Sequence, residues 1–166
     1  MNKIVVSDTT AITHLAKIGA LDLLRKLYVE ILIPDAVFTE LSKAKKTQPG
    51  ALQVLTSKWI KVVKINNQSI VNKLTNHLDF GESEAIALSI ELQSDVLIID
   101  EVKGRDIAKK LGRNIIGMIG VLLEAKKKGY IKTVKPYLDK LRATGFILGE
   151  DIYQLALKLS QESKVK

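Results

Sequence analysis

The run Val96-Leu97-Ile98-Ile99, closed by Asp100, places the tightest constraint on what this chain can fold into. Its four apolar residues, three of them β-branched, show no polar alternation, so a strand built from them must be covered on both faces. That is the situation of a central strand in a parallel sheet. Further short Val/Ile-rich runs predict strands at Lys3–Ser7, Glu30–Ile33, Lys61–Ile65 and, less regularly, Asn114–Ile116. Amphipathic stretches fill the gaps and predict helices over Thr10–Lys17, Leu21–Leu27, Asp35–Ala44, Ser69–Leu78, Glu82–Leu92 and Gly104–Leu111. Strands alternating with helices define an α/β fold, here an α/β/α sandwich with a mostly parallel sheet. Beyond Ile116 no strand signal returns. Helical patterns over Ile119–Lys128, Thr133–Thr144 and Asp151–Gln161 are separated by Gly129 and by the Gly145–Gly149 segment. The 166 residues suit one domain with a substantial core, read as an α/β core over 1–116 carrying a basic helical extension over 117–166. Lys45–Gly50, containing Thr-Gln-Pro-Gly, reads as an exposed loop.

Charge divides the chain differently. The net charge is +8, but residues 1–50 contribute +2, residues 51–100 contribute −2, and the last 66 residues contribute +8. A polybasic segment calls for an anionic partner. The absence of cysteine removes disulfide scaffolds, thiol nucleophiles, zinc ribbons and iron–sulfur clusters together, and two histidines leave little for an imidazole-based metal site. The N-terminal apolar run is too short for a signal peptide, and no stretch approaches the roughly 18 apolar residues of a membrane span. A cytoplasmic location without membrane contact is the expectation.

Ligands of an open parallel sheet bind beyond the carboxyl ends of its strands. Asp8 follows the first strand run and Asp100 follows the central one. Each also precedes a helix, so helix capping competes with a functional role. Glu40 lies on the helix whose apolar stripe is Val37, Leu41 and Ala44, roughly 60° from the stripe's centre, where it borders the buried face. On the Glu82–Leu92 helix, apolar around most of its circumference, Glu82 and Glu84 lie about 200° apart and cannot both face one site. Glu84 stacks within the apolar surface and is the better functional candidate; a favourable helix dipole accounts for Glu82. Four carboxylates sharing a site would repel one another and take up protons unless a cation held them ionised. An all-oxygen set selects a hard ion, Mg²⁺ or Mn²⁺. Such an acidic pocket on a basic protein is the arrangement expected of a metal-dependent nuclease.

From Lys103 to Arg142, 12 basic residues face three acidic ones. Beside a nuclease site they would hold phosphates without sequence preference. Arg105, five residues beyond Asp100, is the first candidate for a phosphate clamp. With 5% aromatic residues and Trp59 isolated, a broad base-stacking platform is not expected. There is no GxGxxG or GxxxxGK[ST], so dinucleotide-binding and P-loop chemistry have no support. His14 reads as a packed or surface residue.

Val5-Val-Ser-Asp-Thr-Thr10, Ile33-Pro-Asp-Ala-Val-Phe-Thr-Glu40-Leu, Gly81-Glu-Ser-Glu-Ala-Ile-Ala-Leu88 and Leu97-Ile-Ile-Asp-Glu101 resemble the successive acidic motifs of PIN-domain nucleases, a family that includes ribonuclease toxins of toxin–antitoxin pairs. The likeness continues through Gly117-Met-Ile-Gly120, the Lys-rich helix and Gly145-Phe-Ile-Leu. The resemblance implies metal-dependent RNA hydrolysis with Asp8, Glu40, Glu84 and Asp100 as the four acids, catalytic and metal-holding. Asp8 would be the central ligand, with Ser7, Thr9 and Thr10 orienting it and Ser7 and Thr9 near the substrate. The Asp100-Glu101 pair leaves the fourth acid open. The resemblance also implies RNA as substrate, an antitoxin as a candidate protein partner and a homodimer. Two other classes compete. One is a catalytically silent module binding RNA or a protein through the basic C-terminal region. The other is a phosphoacceptor receiver, disfavoured because threonines follow Asp8 and glycine follows Ile116.

Overall fold

The structure, a computed structural model, describes residues 2–43 and 51–163. The loop expected over 45–50 and the predicted helix end at Ala44 lie outside the described residues. The chain runs β1 (Val5–Ser7), α1 (Thr9–Lys17), α2 (Asp22–Tyr28), β2 (Ile31–Pro34), α3 (Asp35–Lys43), α4 (Ala51–Thr56), β3 (Ile60–Val63), α5 (Gln68–Leu74), α6 (Phe80–Leu92), β4 (Val96–Ile98), α7 (Val102–Lys110), β5 (Ile115–Ile116), α8 (Met118–Lys127), α9 (Lys135–Ala143) and α10 (Glu150–Leu159). All the expected elements are present within a few residues of their bounds. Helix α4 was not expected, because Ala51-Leu-Gln-Val-Leu-Thr56 spans too few turns to display a periodicity.

The five strands form one sheet in the order β3-β2-β1-β4-β5, and every neighbouring pair is parallel. Two apolar clusters cover its faces, and the strands alternate between them residue by residue. Val5, Val96 and Ile98 join one cluster with α1, α2, α8, α9 and α10, whereas Val6, Leu97 and Ile99 join the other with α5, α6 and α7. This is why the Val96–Ile99 run lacks polar alternation: each successive side chain enters a different core, and all four are buried. Helix α6 is buried from Gly81 through Ser89 except at the partly exposed Glu82, as its continuous apolar surface requires. Among the described residues no helix is long and apolar enough to cross a membrane.

The C-terminal helices are part of this packing. Leu138, Leu141, Tyr153, Ala156 and Leu157 lie in the same cluster as Val5 and Ile98. A single side chain ties their ends together: Glu162 accepts from the backbone N–H groups of Val134 at 2.8 Å and Lys135 at 3.1 Å, and pairs with Lys126 Nζ at 3.0 Å. Lys126 Nζ also donates to the Ser160 carbonyl. Glu162 thereby satisfies the N-terminus of α9, which has no side-chain cap of its own. Burial pushes its carboxyl up, but the two backbone donors and the ammonium prevail and hold it at about 2.

Replacing Glu162 by Ala should lower unfolding stability by about 2 kcal/mol, the scale of a lost charge-assisted helix cap. Because the folded pKa is depressed, this contribution is complete above the ordinary value of 4.5 and disappears as pH falls from there toward about 2. Urea titrations across that window should show the wild type losing its advantage over Glu162→Ala; a constant difference would refute the assignment.

Candidate active site

The sheet order reverses between β1 and β4, and this switch point is where the two strand-end aspartates meet. Parallel register pairs Ser7 with Ile98, and the Asp8 N–H donates to the Ile98 carbonyl at 3.1 Å, continuing the ladder one residue past β1. The two aspartates are then treated alike. Asp8 caps α1, its Oδ1 accepting from Ala11 N at 3.4 Å. Asp100 Oδ1 accepts from Met118 N at 2.9 Å, at the first residue of α8. In both, Oδ2 is buried with no hydrogen-bond partner. Each residue therefore splits its two oxygens, one serving the fold and the other buried without a partner at the switch point.

Glu40 and Glu82 complete the cluster. Thr9 Oγ1 donates to Glu40 Oε2 at 2.6 Å, and the Glu40 carboxylate lies over Gly81, where an added Cβ would stand 2.3 Å from Oε1. A side chain at Gly81 would displace the Glu40 carboxylate from that position. Glu82 sits in the first turn of α6, whose N-cap Asp79 accepts from Glu82 N at 2.8 Å. The carboxyl of Glu82 approaches Gly104 on α7. Burial, together with the nearby charges of Asp79, Glu101 and Glu40, pushes Glu82 up to about 7. Burial raises Asp8 well above the carboxylate range, with Asp100 and then Glu82 adding to the effect. Asp100 is raised by burial and lowered by Met118 N and the Arg105 guanidinium. Burial and mutual repulsion thus make the ionised forms of Asp8, Glu82 and Asp100 costly where no counter-charge is present.

Several expected positions differ. Glu84 is buried as expected, but on the other side of α6: its Oε1 accepts from Ala36 N at 3.3 Å and caps the start of α3. The 200° separation assigned one glutamate of the pair to the acid cluster, and the structure gives that place to Glu82. The sequence signal for Glu82 was its position in the first turn, because a helix leading into a parallel strand begins at the ligand-binding edge of the sheet. Ser7 is fully buried and its hydroxyl donates to the Asp8 carbonyl at 3.0 Å, so it cannot touch a substrate. Thr9 orients Glu40 instead of Asp8. Arg105 Nη1 donates to the Ile99 carbonyl at 3.0 Å and lies beside Asp100 and Gly117, which makes it a support for the aspartate's loop more than a free phosphate clamp. Glu101 caps α7 through Lys103 N at 3.4 Å, and Asp100 is the acid at the switch point.

Two recesses flank the cluster. One, of about 450 Å³, is lined by Glu82, Asp100 and Glu101 together with Thr10, His14, Val102 and the 145–147 segment. The other, of about 510 Å³, lies beyond Glu40 and includes Glu84, Lys43 and the exposed Phe80. Exposed Lys103 lies in the first turn of α7 next to Glu101, Lys109 and Lys110 lie in its last turn at the far end of the helix, and Lys126, Lys135 and Arg142 are engaged with Glu162, Asp139 and Glu150.

A parallel α/β sheet with carboxylates gathered at its switch point is a nuclease-type architecture. The PIN-domain family profile matches residues 4–162, and the chain belongs to the PIN-domain family. No curated protein matches the chain. PIN domains are generally nucleases that use divalent metal ions. Among the described residues no three Asp, Glu or His side chains stand close enough to hold an ion together. The buried, unpartnered Oδ2 atoms of Asp8 and Asp100 nevertheless fit a cation: each is a dehydrated acceptor with nothing to accept.

The two glutamates of α6 should respond oppositely to substitution. Glu84→Ala leaves Ala36 N unsatisfied and should cost about 1–3 kcal/mol, whereas Glu84→Gln keeps an acceptor and should cost less. Because Glu82 is raised from 4.5 to about 7 in the fold, its cost is absent below about 4.5, grows as pH rises between those values, and is complete above about 7. Glu82→Gln should therefore raise the metal-free denaturation midpoint at pH 8 and leave it little changed at pH 5.

Proposed function

We propose that the chain is a metal-dependent ribonuclease that hydrolyses RNA phosphodiester bonds at Asp8, Glu40, Glu82 and Asp100. The observation that carries this reading is the matched pair of buried aspartate oxygens without partners at the switch point. Mg²⁺ or Mn²⁺ would be held by these four carboxylates, and such an ion, when bound, activates water and neutralises charge developing on the phosphodiester. The chain's own residues prepare the site. Ala11 N and Met118 N fix one oxygen of each aspartate and leave the other free, Thr9 fixes Glu40 over Gly81, and Glu82 is held at the α6 N-terminus. Exposed Lys103, in the first turn of α7 beside the site, would attract the strand without reading its sequence.

Within this reading the protein is cytoplasmic, pairs as a homodimer, and serves as the toxin of a toxin–antitoxin pair whose antitoxin is a small protein. A second reading, a silent module binding RNA or a protein through the basic C-terminal region, draws on the spacing of the acids, which as they stand do not gather three around one point.

Cleavage of labelled single-stranded RNA with Mg²⁺ or Mn²⁺ separates the two. Asp8→Asn and Glu82→Gln should each reduce the rate by about a hundredfold or more, the scale of losing one preorganised electrostatic group, and Glu84→Gln should retain activity. Either ion should also raise the melting temperature of the wild type, by an amount equivalent to about 2.7 kcal/mol at a hundred times its dissociation constant, but not that of Asp8→Asn. RNA binding with no cleavage and no metal-induced stabilisation would establish the silent module instead.

A further inference from the structure

We infer that the recess between the acid cluster and the 145–147 segment is a nucleobase subsite, which seats one unstacked base beside the scissile phosphate and favours bases bearing an exocyclic amino group. The inference rests on the ribonuclease reading and adds to it a residue set that reads the substrate.

The segment is built to overhang the site. Helix α9 ends at Thr144, and Gly145, at φ +88°, turns the chain back toward α1. A side chain at that angle would be strained. Thr144 Oγ1 meets His14 Nδ1 at 3.2 Å, and the Phe146 ring meets the edge of the His14 ring, with centroids 5.3 Å apart and planes at 64°. Phe146 is half-buried on the main core, so one of its sides is anchored. Ile147 follows at 94% exposure, and Val102, across the recess, is 71% exposed. A single exposed apolar residue is ordinary. Here three apolar side chains line one recess whose remaining wall includes two carboxylates of the acid cluster, Glu82 and Asp100.

The chemistry of the lining selects its occupant. No Lys or Arg lines the recess, and its carboxylates would repel a phosphate. An aliphatic side chain from a protein partner would cover the apolar wall but leave the Glu101 oxygen not engaged by Lys103 N dehydrated. A nucleobase satisfies both walls, laying its π-face on Phe146 and Ile147 and its edge toward the acceptors. Because those acceptors are carboxylates, amino-bearing adenine, cytosine or guanine fits better than uracil, much as acidic side chains accept from cytosine N4 in duplex recognition. The base must be out of any stack to enter, so the substrate is single-stranded at that position. This local wall is compatible with the low aromatic content, since one ring is enough for one base.

The test measures affinity for a short oligoadenylate, with Ca²⁺ replacing Mg²⁺ so that the strand is not consumed. The comparison strands are the same oligomer with an abasic site at one position in turn and the matched oligouridylate. Ile147→Ser changes an exposed side chain, and Phe146→Leu retains an apolar side chain against the core, so both should fold. Each should weaken oligoadenylate binding about tenfold, the scale of one lost base stack. At one abasic position the wild type should lose a similar factor, and the variants should lose nothing further there. Oligouridylate should bind more weakly than oligoadenylate to the wild type, with a smaller gap for the variants. Wild-type affinity in both variants, or abasic and protein losses that simply multiply at every position, would overturn the subsite. If Asp8→Asn abolishes cleavage under Mg²⁺ while Ile147→Ser changes neither affinity nor rate, the subsite falls and the ribonuclease reading stands. A wild type that binds no oligonucleotide and cleaves none removes both.

Discussion

The parallel pairing of β1 with β4 is the contact on which the rest of this molecule depends. It buries Val6, Leu97 and Ile98 completely, so the centre of the sheet is fixed by side chains with no alternative place to go. The same register delivers Asp8 and Asp100 to one edge of the sheet. The fold cannot keep its apolar centre without bringing two carboxylates together, and it then withdraws both from water. Helix N-termini satisfy one oxygen of each, and nothing satisfies the other. The cost of that arrangement is visible in the raised pKa values of Asp8, Glu82 and Asp100, which burial dominates in every case. A fold selected for stability alone would have no reason to retain such a cluster.

The basic character of the chain takes on a more local meaning against this cluster. Much of the positive charge in the C-terminal third is committed inside the protein. Arg105 supports the loop of Asp100, Arg113 donates to the Ser89 carbonyl, Lys126 is bound by Glu162, and Arg142 pairs with Glu150 while lying over the Tyr153 ring. The exposed lysines of α7 and at the end of α8 remain as the surface field. A net charge therefore overstates the number of residues available to a phosphate backbone, and mutating an arginine in this protein perturbs structure before it perturbs binding.

The architecture was legible because each of its determinants is local. Uninterrupted Val96–Ile99 announces a doubly covered strand, and the Asp after it marks the ligand edge of the sheet. Glu40 was legible as well, since a residue bordering the apolar stripe of α3 can reach inward. The failure lay with α6. Periodicity showed that Glu84 is buried and that Glu82 lies on a different face, and both statements hold. Burial alone does not signal function: a buried carboxylate needs only a donor, and the N-terminus of α3 supplies one in Ala36 N. Which helix end abuts which face of α6 is a tertiary fact with no trace in the periodicity. The roles of Ser7, Thr9 and Arg105 were hidden for the same reason: a hydroxyl or guanidinium has many possible acceptors, and only packing chooses among them.

The C-terminal helices share a core with the sheet, and Glu162 fastens the start of α9 to α8 and to the end of α10. That fastening bears on the site. The segment after α9 carries Phe146 and Leu148 into the main core and Ile147 out over the acid cluster, so its height above the carboxylates is set by how α9 and α10 are seated. His14, on the first helix after Asp8, touches the same segment through Thr144 and Phe146. Helix α1 and the segment after α9 thus meet beside the switch point. The packing of α9 therefore bears on the mouth of the site through the Gly145 turn and the contact of Phe146 with the His14 ring.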